Sequence, residues 1–570
     1  MNAEELKAHV LGRDFASDAR ACIRTNHLGY MPAAPKFAVL EGDGLPEELE
    51  FCLVACASGR TALRQRLYAQ QGDFGRAMVF DFSQVREQGS YYVSAGGFRS
   101  YPIRIGMNVL DEVVSAPVEY FAAQRCGPSE TGYLSPCHLE DGIRSDNGQH
   151  QDVSGGWHDA SDLRKWVSAT IDGMVGLAKV YELCGDVVRP GGILEELQWG
   201  NRYFLHMQEP QGYVMSHCGG DVYAHSDSNH WTDNLPGTGD ERVIQVKPAE
   251  LSCQLRFVAA QAMTARVARS QGQEDYAKTC LQAGLRCLDW SRAHLGASPS
   301  AETLGEGITA CLELRRATGR ETYLELAADW ARQALALQAW DEEEARGFFH
   351  TSAQEDEPYR CIQGDPLCIA LCLLLEQAPQ HADAPMWKEG LERWALGYAA
   401  AFAARNAYGL LPYGLSAKDL GGGRRAGRYF YRYFMGLHER QDSNDTAWWV
   451  GVNANIAAMG IALAKASRLL ARPELLAIAQ RQLDWILGAN PFDDCHVDLL
   501  GRNHHEPFVQ NLFVPPTPRI RGAVLNGLGG TQEDQPALWS GSYHTCEYWT
   551  PMVCHTMWLA ATLKEIYRRA

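Results

Sequence analysis

The stretch Ser154-Gly-Gly-Trp-His-Asp-Ala-Ser-Asp162 gathers more chemistry than any other nine residues of the chain. Two glycines leave the backbone bare ahead of a tryptophan. Two carboxylates, Asp159 and Asp162, then follow three positions apart, where a helix is predicted to begin. On a first helical turn that spacing puts both on one face. Carboxylates beside an aromatic, at a glycine-loosened turn, suit binding and activating a water next to a sugar ring. The same pair also fits a helix start, with Asp159 as cap and Asp162 complementing the dipole. A third carboxylate, Glu547, lies in Ser540-Gly-Ser-Tyr-His-Thr-Cys-Glu-Tyr-Trp-Thr-Pro551, flanked by aromatics at the mouth of the last predicted helix. An apolar setting disfavours the charged form of a carboxyl and keeps it protonated near neutrality. A general acid that protonates a departing glycosidic oxygen needs that property. A dipole-stabilised helix-start glutamate is the alternative reading. Taken together, Asp159, Asp162 and Glu547 form an acid facing a base. Inverting glycosidases hold such carboxyls ~6.5–9.5 Å apart to admit a water.

A second constellation lies just upstream. Cys126, Cys137, His138 and His158 fall within 33 residues, and His158 directly precedes the carboxylate pair. Two thiolates and two imidazoles match what zinc takes in a closed tetrahedral site. Spacing alone leaves unrelated buried cysteines and a polar loop histidine as the other reading. His217-Cys218 has no visible partner ligands and reads as loop polarity. Trp157, Trp448 and Trp449 offer faces on which the C–H surface of a sugar could stack, and Tyr429, Tyr431, Tyr433 and Phe434 precede the latter two. Any one of these also fits a core position. Gly421-Gly-Gly423 follows no predicted strand and reads as a flexible basic loop rather than a phosphate cradle.

The elements that must position these residues divide the chain in two. Segments 23–26, 36–40, 50–55, 78–82, 89–94 and 101–105 are short, partly alternating and punctuated by Gly, Pro or Asp. That is the spacing of a small β-sandwich. From Asn108 the pattern turns helical, with stretches predicted at 108–126, 167–184, 192–207, 248–270, 274–294, 300–318, 321–340, 366–376, 384–406, 445–470, 473–487 and 548–567. No fixed-period repeat links them, which argues against a solenoid. Antiparallel helix pairs closing on themselves would bury both apolar faces and gather the long loops 127–166, 208–247, 341–365, 407–444 and 488–547 at one end. Loops of that length usually carry function. An all-α toroid with its site at the loop end fits.

At 570 residues the chain has room for more than one domain. A formal charge of −17 argues against nucleic-acid and anionic-membrane partners and leaves neutral or cationic small substrates open. The acidic run 341–344 reads as a solvated connection. The start, Met1-Asn-Ala-Glu-Glu, carries no apolar core of signal-peptide length, and the 17 cysteines are odd in number and scattered. These point to reduced thiols and a cytoplasmic location.

The chain resembles the family 9 glycoside hydrolases that carry an N-terminal immunoglobulin-like domain. Ile23-Arg-Thr-Asn-His-Leu-Gly-Tyr30 looks like the start of that domain, and Gly155–Asp162 resembles the family's G-G-W-[YH]-D-A-G-D signature. Leu487-Gly-Ala-Asn-Pro491 resembles L-G-x-N-P, His504-His505 resembles H-H-R, and Tyr543–Glu547 resembles Y-x-x-N-E. The resemblance implies an immunoglobulin-like β-sandwich over 20–106 followed by an (α/α)₆ barrel over 107–570. It implies inversion at the anomeric carbon, with Asp162 as general base, Asp159 helping to hold the attacking water and Glu547 as general acid. Trp157, His504, His505 and Tyr543 would contact sugar. It also implies a structural zinc on Cys126, Cys137, His138 and His158, and no organic cofactor. Three positions depart from the pattern: Ser161 replaces Gly, Cys546 replaces Asn before the acid, and Glu506 follows the His pair where Arg is usual. Arg502 is the nearby candidate for the missing guanidinium.

The expected function is inverting hydrolysis of β-1,4-linked gluco-oligosaccharides, acting from the end of short soluble substrates. An exo-β-glucosaminidase on chitosan- or chitin-derived oligosaccharides is the alternative. A non-catalytic sugar-binding protein and an α/α-barrel epimerase or lyase are the readings from other classes. The sequence leaves the oligomeric state open.

Overall fold

The computed structural model describes residues 23–570, apart from 43, 186, 189, 220–231, 341–343, 362, 420–422, 435–449 and 509–516. The strands β1 (Ile23–Arg24), β2 (Phe37–Glu41), β3 (Glu48–Ala55), β4 (Thr61–Tyr68), β5 (Gln70–Gly72), β6 (Gly75–Asp81), β7 (Gly89–Ala95), β8 (Phe98–Arg99) and β9 (Ile103–Ile105) form two antiparallel sheets. One has the order β1-β2-β6-β5; the other has β4-β3-β7-β8, with β9 also on β7. Alternate residues of β3 and β7, such as Phe51, Leu53, Tyr91 and Val93, are buried between the sheets, where Phe51 meets Phe80 of β6 at 5.5 Å. Strand β4 was not predicted. It is a charged edge strand whose Arg64 and Arg66 face solvent, so it lacks the apolar alternation that marks a strand in sequence.

The helices are α1 (Asp111–Ser115), α2 (Pro117–Ala123), α3 (Val167–Cys184), α4 (Pro190–His206), α5 (Leu251–Ser270), α6 (Glu274–Ala293), α7 (Ala301–Thr318), α8 (Thr322–Leu335) and α9 (Pro366–Gln377). They continue as α10 (Ala384–Glu392), α11 (Asn453–Leu469), α12 (Pro473–Ile486), α13 (Tyr543–Cys546) and α14 (Thr550–Arg568). The predicted 108–126 helix is split in two because Pro117 has no N–H to continue α1 and instead starts α2. Beyond α10 the chain winds i→i+5 through Arg393–Ala400.

Helices α3, α5, α7, α9, α11 and α14 pack in that order as a ring, with α14 closing back on α3. Each is backed on the outside by an antiparallel neighbour: α4, α6, α8, α10, α12, and for α14 the short α1 and α2. Burial records the two layers. In α5 nearly every side chain is buried, whereas α6 buries a single stripe through Ala277, Cys280, Ala283, Gly284, Cys287, Leu288 and Ser291. The long loops precede the inner helices and so collect at one end of the ring, as expected from their lengths. Among the described residues, no helix is long and apolar enough to cross a membrane.

The β-sandwich is wired into this loop end. Asn26 Nδ2 donates to Asp484 Oδ1 of α12 at 2.9 Å. The buried His27 ring meets Asp493 Oδ1 through Nε2 at 3.0 Å and accepts from the Arg502 backbone N–H at Nδ1. The loop that carries His504 and His505 is therefore pinned from the N-terminal domain.

Candidate active site

The segment 153–165 is not the helical turn that the sequence pattern predicted. Helix α3 starts only at Val167, and the short strand Lys165–Trp166 pairs first with Cys218 and His217. The Asp159 N–H donates to the Arg164 carbonyl at 3.0 Å and closes a loop, with Leu163 turned left-handed at φ 62°. The competing interaction that broke the turn is Asp162 itself. Its Oδ1 accepts from the Arg164 N–H at 3.2 Å and its Oδ2 from Arg164 Nη1 at 2.9 Å. At the other end Gly155 and Gly156 take φ of 93° and 75°, which side-chain-bearing residues rarely adopt. A Cβ on Gly156 would meet Tyr203 Cβ at 2.7 Å.

Trp157, expected to contact sugar, is instead wholly buried. Its ring packs 5.0 Å from Phe121 and its Nε1–H donates to Glu196 Oε1 at 2.7 Å. Arg125 holds the same carboxylate. An indole deep in the core, with its one polar atom satisfied, anchors the loop rather than offering a platform. Three further residues that the sequence did not single out clamp the loop. Lys165 Nζ donates to the carbonyls of Val153 and Gly155 at 2.7 and 3.3 Å. Arg242 donates to the Leu163 carbonyl. Both cations pair with the buried Asp141 at 2.9 and 2.6 Å, and they hold its carboxyl well below the usual range. Such residues look like ordinary surface charges in a sequence; only burial makes them structural.

The three candidate catalytic carboxyls do converge. Because α14 closes on α3, the loop before one inner helix faces the loop before the other. The Thr550 N–H and hydroxyl both donate to the Asp159 carbonyl at 3.2 Å. Ser161, 386 positions from Glu547 in sequence, donates to its Oε1 from the backbone N–H at 3.2 Å and from the hydroxyl at 2.6 Å. Glu547 sits extended between α13 and α14, half-buried. Desolvation, then the like charge of Asp162, pushes its pKa up to about 8, against the lowering effect of the Ser161 bonds and the Arg164 charge. Asp159 is buried, and desolvation and its two carboxylate neighbours raise it well above the ordinary range. Its Oδ1 accepts no hydrogen bond from the described residues. Asp162 is more accessible, with 22% of its side chain exposed, and is ion-paired with Arg164. A protonated carboxyl opposite an ion-paired one is the asymmetry that acid–base chemistry on a bound water needs.

Tyr543 stands one helical turn before Glu547, and burial, then the charge of that carboxyl, raises its hydroxyl pKa. The Phe508 N–H donates to the Cys546 carbonyl at 2.9 Å, which lays the segment after His504-His505 alongside the acid. His505 Nε2 is 3.2 Å from Asp494 Oδ2, and His504 Nδ1 is 3.1 Å from the Cys495 carbonyl. Arg502 turns the other way. It pairs with Asp493 at 2.9 Å and lies 4.0 Å over the ring of Tyr101, in the seam with the β-sandwich. The guanidinium beside the histidine pair belongs to Arg519, which donates to the His505 carbonyl at 3.0 Å and pairs with Asp498 and Glu506. Its place 14 residues downstream hid it from motif reading. Trp448 and Trp449 lie outside the described residues. Tyr429, Tyr431 and Tyr433 are buried.

Cys126, Cys137, His138 and His158 are all buried, and one donor atom from each lies within 4.8 Å of the others. Three of its edges are 3.7 Å from Cys126 Sγ to His138 Nδ1, 3.7 Å from Cys137 Sγ to His158 Nε2 and 3.4 Å between the two imidazole nitrogens. A tetrahedron with metal–sulfur bonds of ~2.3 Å and metal–nitrogen bonds of ~2.05 Å needs edges of about 3.4–3.8 Å. The donor set therefore fits a closed four-coordinate ion. Arg242 Nη2 lies 3.6 Å from Cys126 Sγ, so the same side chain reaches this cluster and the catalytic loop.

The sequence profile of Glycosyl hydrolase family 9 matches residues 111–512, and that of the Cellulase N-terminal ig-like domain matches 18–100. Endoglucanase D of Acetivibrio thermocellus is 25% identical over 395 residues, covering 60% of this chain and 60% of that enzyme. The xyloglucan-specific endo-beta-1,4-glucanase BoGH9A of Bacteroides ovatus is 24% identical over 569 residues, covering 90% of this chain and 86% of that enzyme. The solved structure of Bacteroides ovatus GH9 superposes with a TM-score of 0.69 at 19% identity, over 96% of this chain and 99% of that one, a likeness of fold. With the profile spanning most of its length, the chain belongs to glycosyl hydrolase family 9.

Proposed function

We propose that the protein is an inverting O-glycosyl hydrolase of β-1,4-linked gluco-oligosaccharides. Asp162 acts as general base on a water that Asp159 helps to hold, and Glu547 acts as general acid. The observation that carries the reading is the meeting of the two helix mouths, where Ser161 holds Glu547 Oε1 and the next residue, Asp162, is ion-paired with Arg164. In the single displacement, Asp162 takes a proton from the water as its oxygen bonds to the anomeric carbon. The glycosidic bond breaks in the same step, and Glu547 gives its proton to the leaving oxygen.

By their names one relative is an endoglucanase and another a xyloglucan-specific endo-beta-1,4-glucanase, which supports a glucan substrate. None of them supports the glucosaminide alternative. A cytoplasmic location, argued from the scattered cysteines, and the end-wise action on short soluble substrates that would follow from it both belong to this proposal. Zinc is the ion proposed for the Cys₂His₂ cluster; it would be structural, with every ligand position filled by protein. The deciding experiment is a panel of reduced cello-oligosaccharides, with product anomers read by NMR. The expected outcome is initial release of the α-anomer, with loss of turnover but retained ligand binding in Glu547→Gln. Initial release of the β-anomer would contradict inversion, and an Asp162→Asn enzyme at full rate would remove the base.

A further inference from the structure

Ser161 stands between the base and the acid and is 2% exposed. Its N–H and hydroxyl converge on one oxygen of Glu547, Oε1, and neither bond goes to Oε2. The loop cannot carry Ser161 away, because Thr550 grips the carbonyl of Asp159 on one side and Asp162 grips Arg164 on the other. The residue immediately before the acid gives no such support. Cys546 Sγ points to the Trp539 carbonyl at 3.4 Å, away from the carboxyl. Positions 161 and 546 are two of the three departures from the motif pattern, and of the two only Ser161 bonds the Glu547 carboxyl.

We propose that Ser161 is a positioning residue for the general acid: its hydroxyl fixes Oε1, so that Oε2 carries the proton toward the leaving oxygen. This rests on the reading of Glu547 as the acid. The groups facing Glu547 are Asp159, Asp162 and Arg164 from the loop before α3 and Tyr543 from α13. A hydroxyl that donates to a carboxyl favours its ionised form, so Ser161 draws the acid back toward neutrality, where proton donation is most effective. Losing it leaves the carboxyl less acidic and free to rotate.

The test compares a reduced cello-oligosaccharide, whose alcohol leaving group needs a proton, with a dinitrophenyl β-cellobioside, whose leaving group does not. For Ser161→Ala, kcat on the oligosaccharide falls about ten- to hundredfold. On the aryl substrate it changes less than about threefold, and the alkaline limb of the oligosaccharide profile moves to higher pH. Ser161→Thr restores both, and Ser161→Gly combined with Cys546→Asn recovers the oligosaccharide rate. Equal losses on both substrates, or an unmoved alkaline limb, overturn the role of Ser161. Glu547→Gln separates this result from failure of the acid assignment. If that variant still hydrolyses the oligosaccharide, the acid reading itself fails; if it is inactive while Ser161→Ala matches wild type, only the positioning role falls.

Discussion

Asp484→Asn probes the seam between the β-sandwich and the helical domain through a pH dependence of opposite sign to the usual carboxylate. Asp484 is buried on α12, and its Oδ1 accepts from Asn26 Nδ2 at 2.9 Å and Gln480 Nε2 at 2.7 Å. Its Oδ2 is buried with no partner among the described residues. Desolvation dominates, with the Asn26 and Gln480 bonds, Arg481 and Tyr30 opposing it, and the carboxyl is raised from 3.8 to about 7. Tyr567 closes the pocket through Gln480. A raised folded-state pKa means that the native protein binds the proton more tightly than the unfolded chain. The stabilisation is therefore full below about pH 4 and is lost as pH rises toward 7, by about 4 kcal/mol for this shift. Asparagine cannot titrate, so the stability of wild type relative to Asp484→Asn should fall by that amount between pH 4 and 7 and then level off. Urea unfolding followed by tryptophan fluorescence, with both proteins measured at each pH, reads the difference directly. Two parallel curves, separated by a constant amount across the range, would refute the reasoning.

Gly156→Ala should cost about 2–5 kcal/mol, the sum of a left-handed alanine and a Cβ pressed on Tyr203. It should also lower turnover, because the carboxylate loop must shift; a melting temperature unchanged from wild type would count against it. For the Cys/His cluster, mass spectrometry of the purified metal content should find one zinc per chain. Cys137→Ser should abolish that zinc and lower the melting temperature together with kcat. A protein that melts identically with and without its metal would show that the cluster does not brace the loop.

The sequence by itself determined the two-domain order and the helix ladder, and it singled out the three carboxyls that the fold brings together. Each of these is written in local periodicity or in short motifs: Val167–Cys184 was legible as a helix to the residue. The cluster Cys126, Cys137, His138 and His158 was legible too, because metal donors announce themselves by residue type. Strand β4 was not, because a charged edge carries no apolar alternation. Only the tertiary structure decided what each aromatic and each charge does. Trp157 went into the core to satisfy Glu196, Arg502 turned to Tyr101, and Arg519 came to the histidines in its place. Lys165, Asp141 and Arg242 became a buried clamp, and Asp162 broke the predicted helical turn by bonding to its own loop. The physical reason is common to all of these. Burial and long-range pairing set the fate of a polar side chain, and both depend on which segments the closed ring of helices brings together. The meeting of Ser161 with Glu547 across 386 positions is the sharpest case.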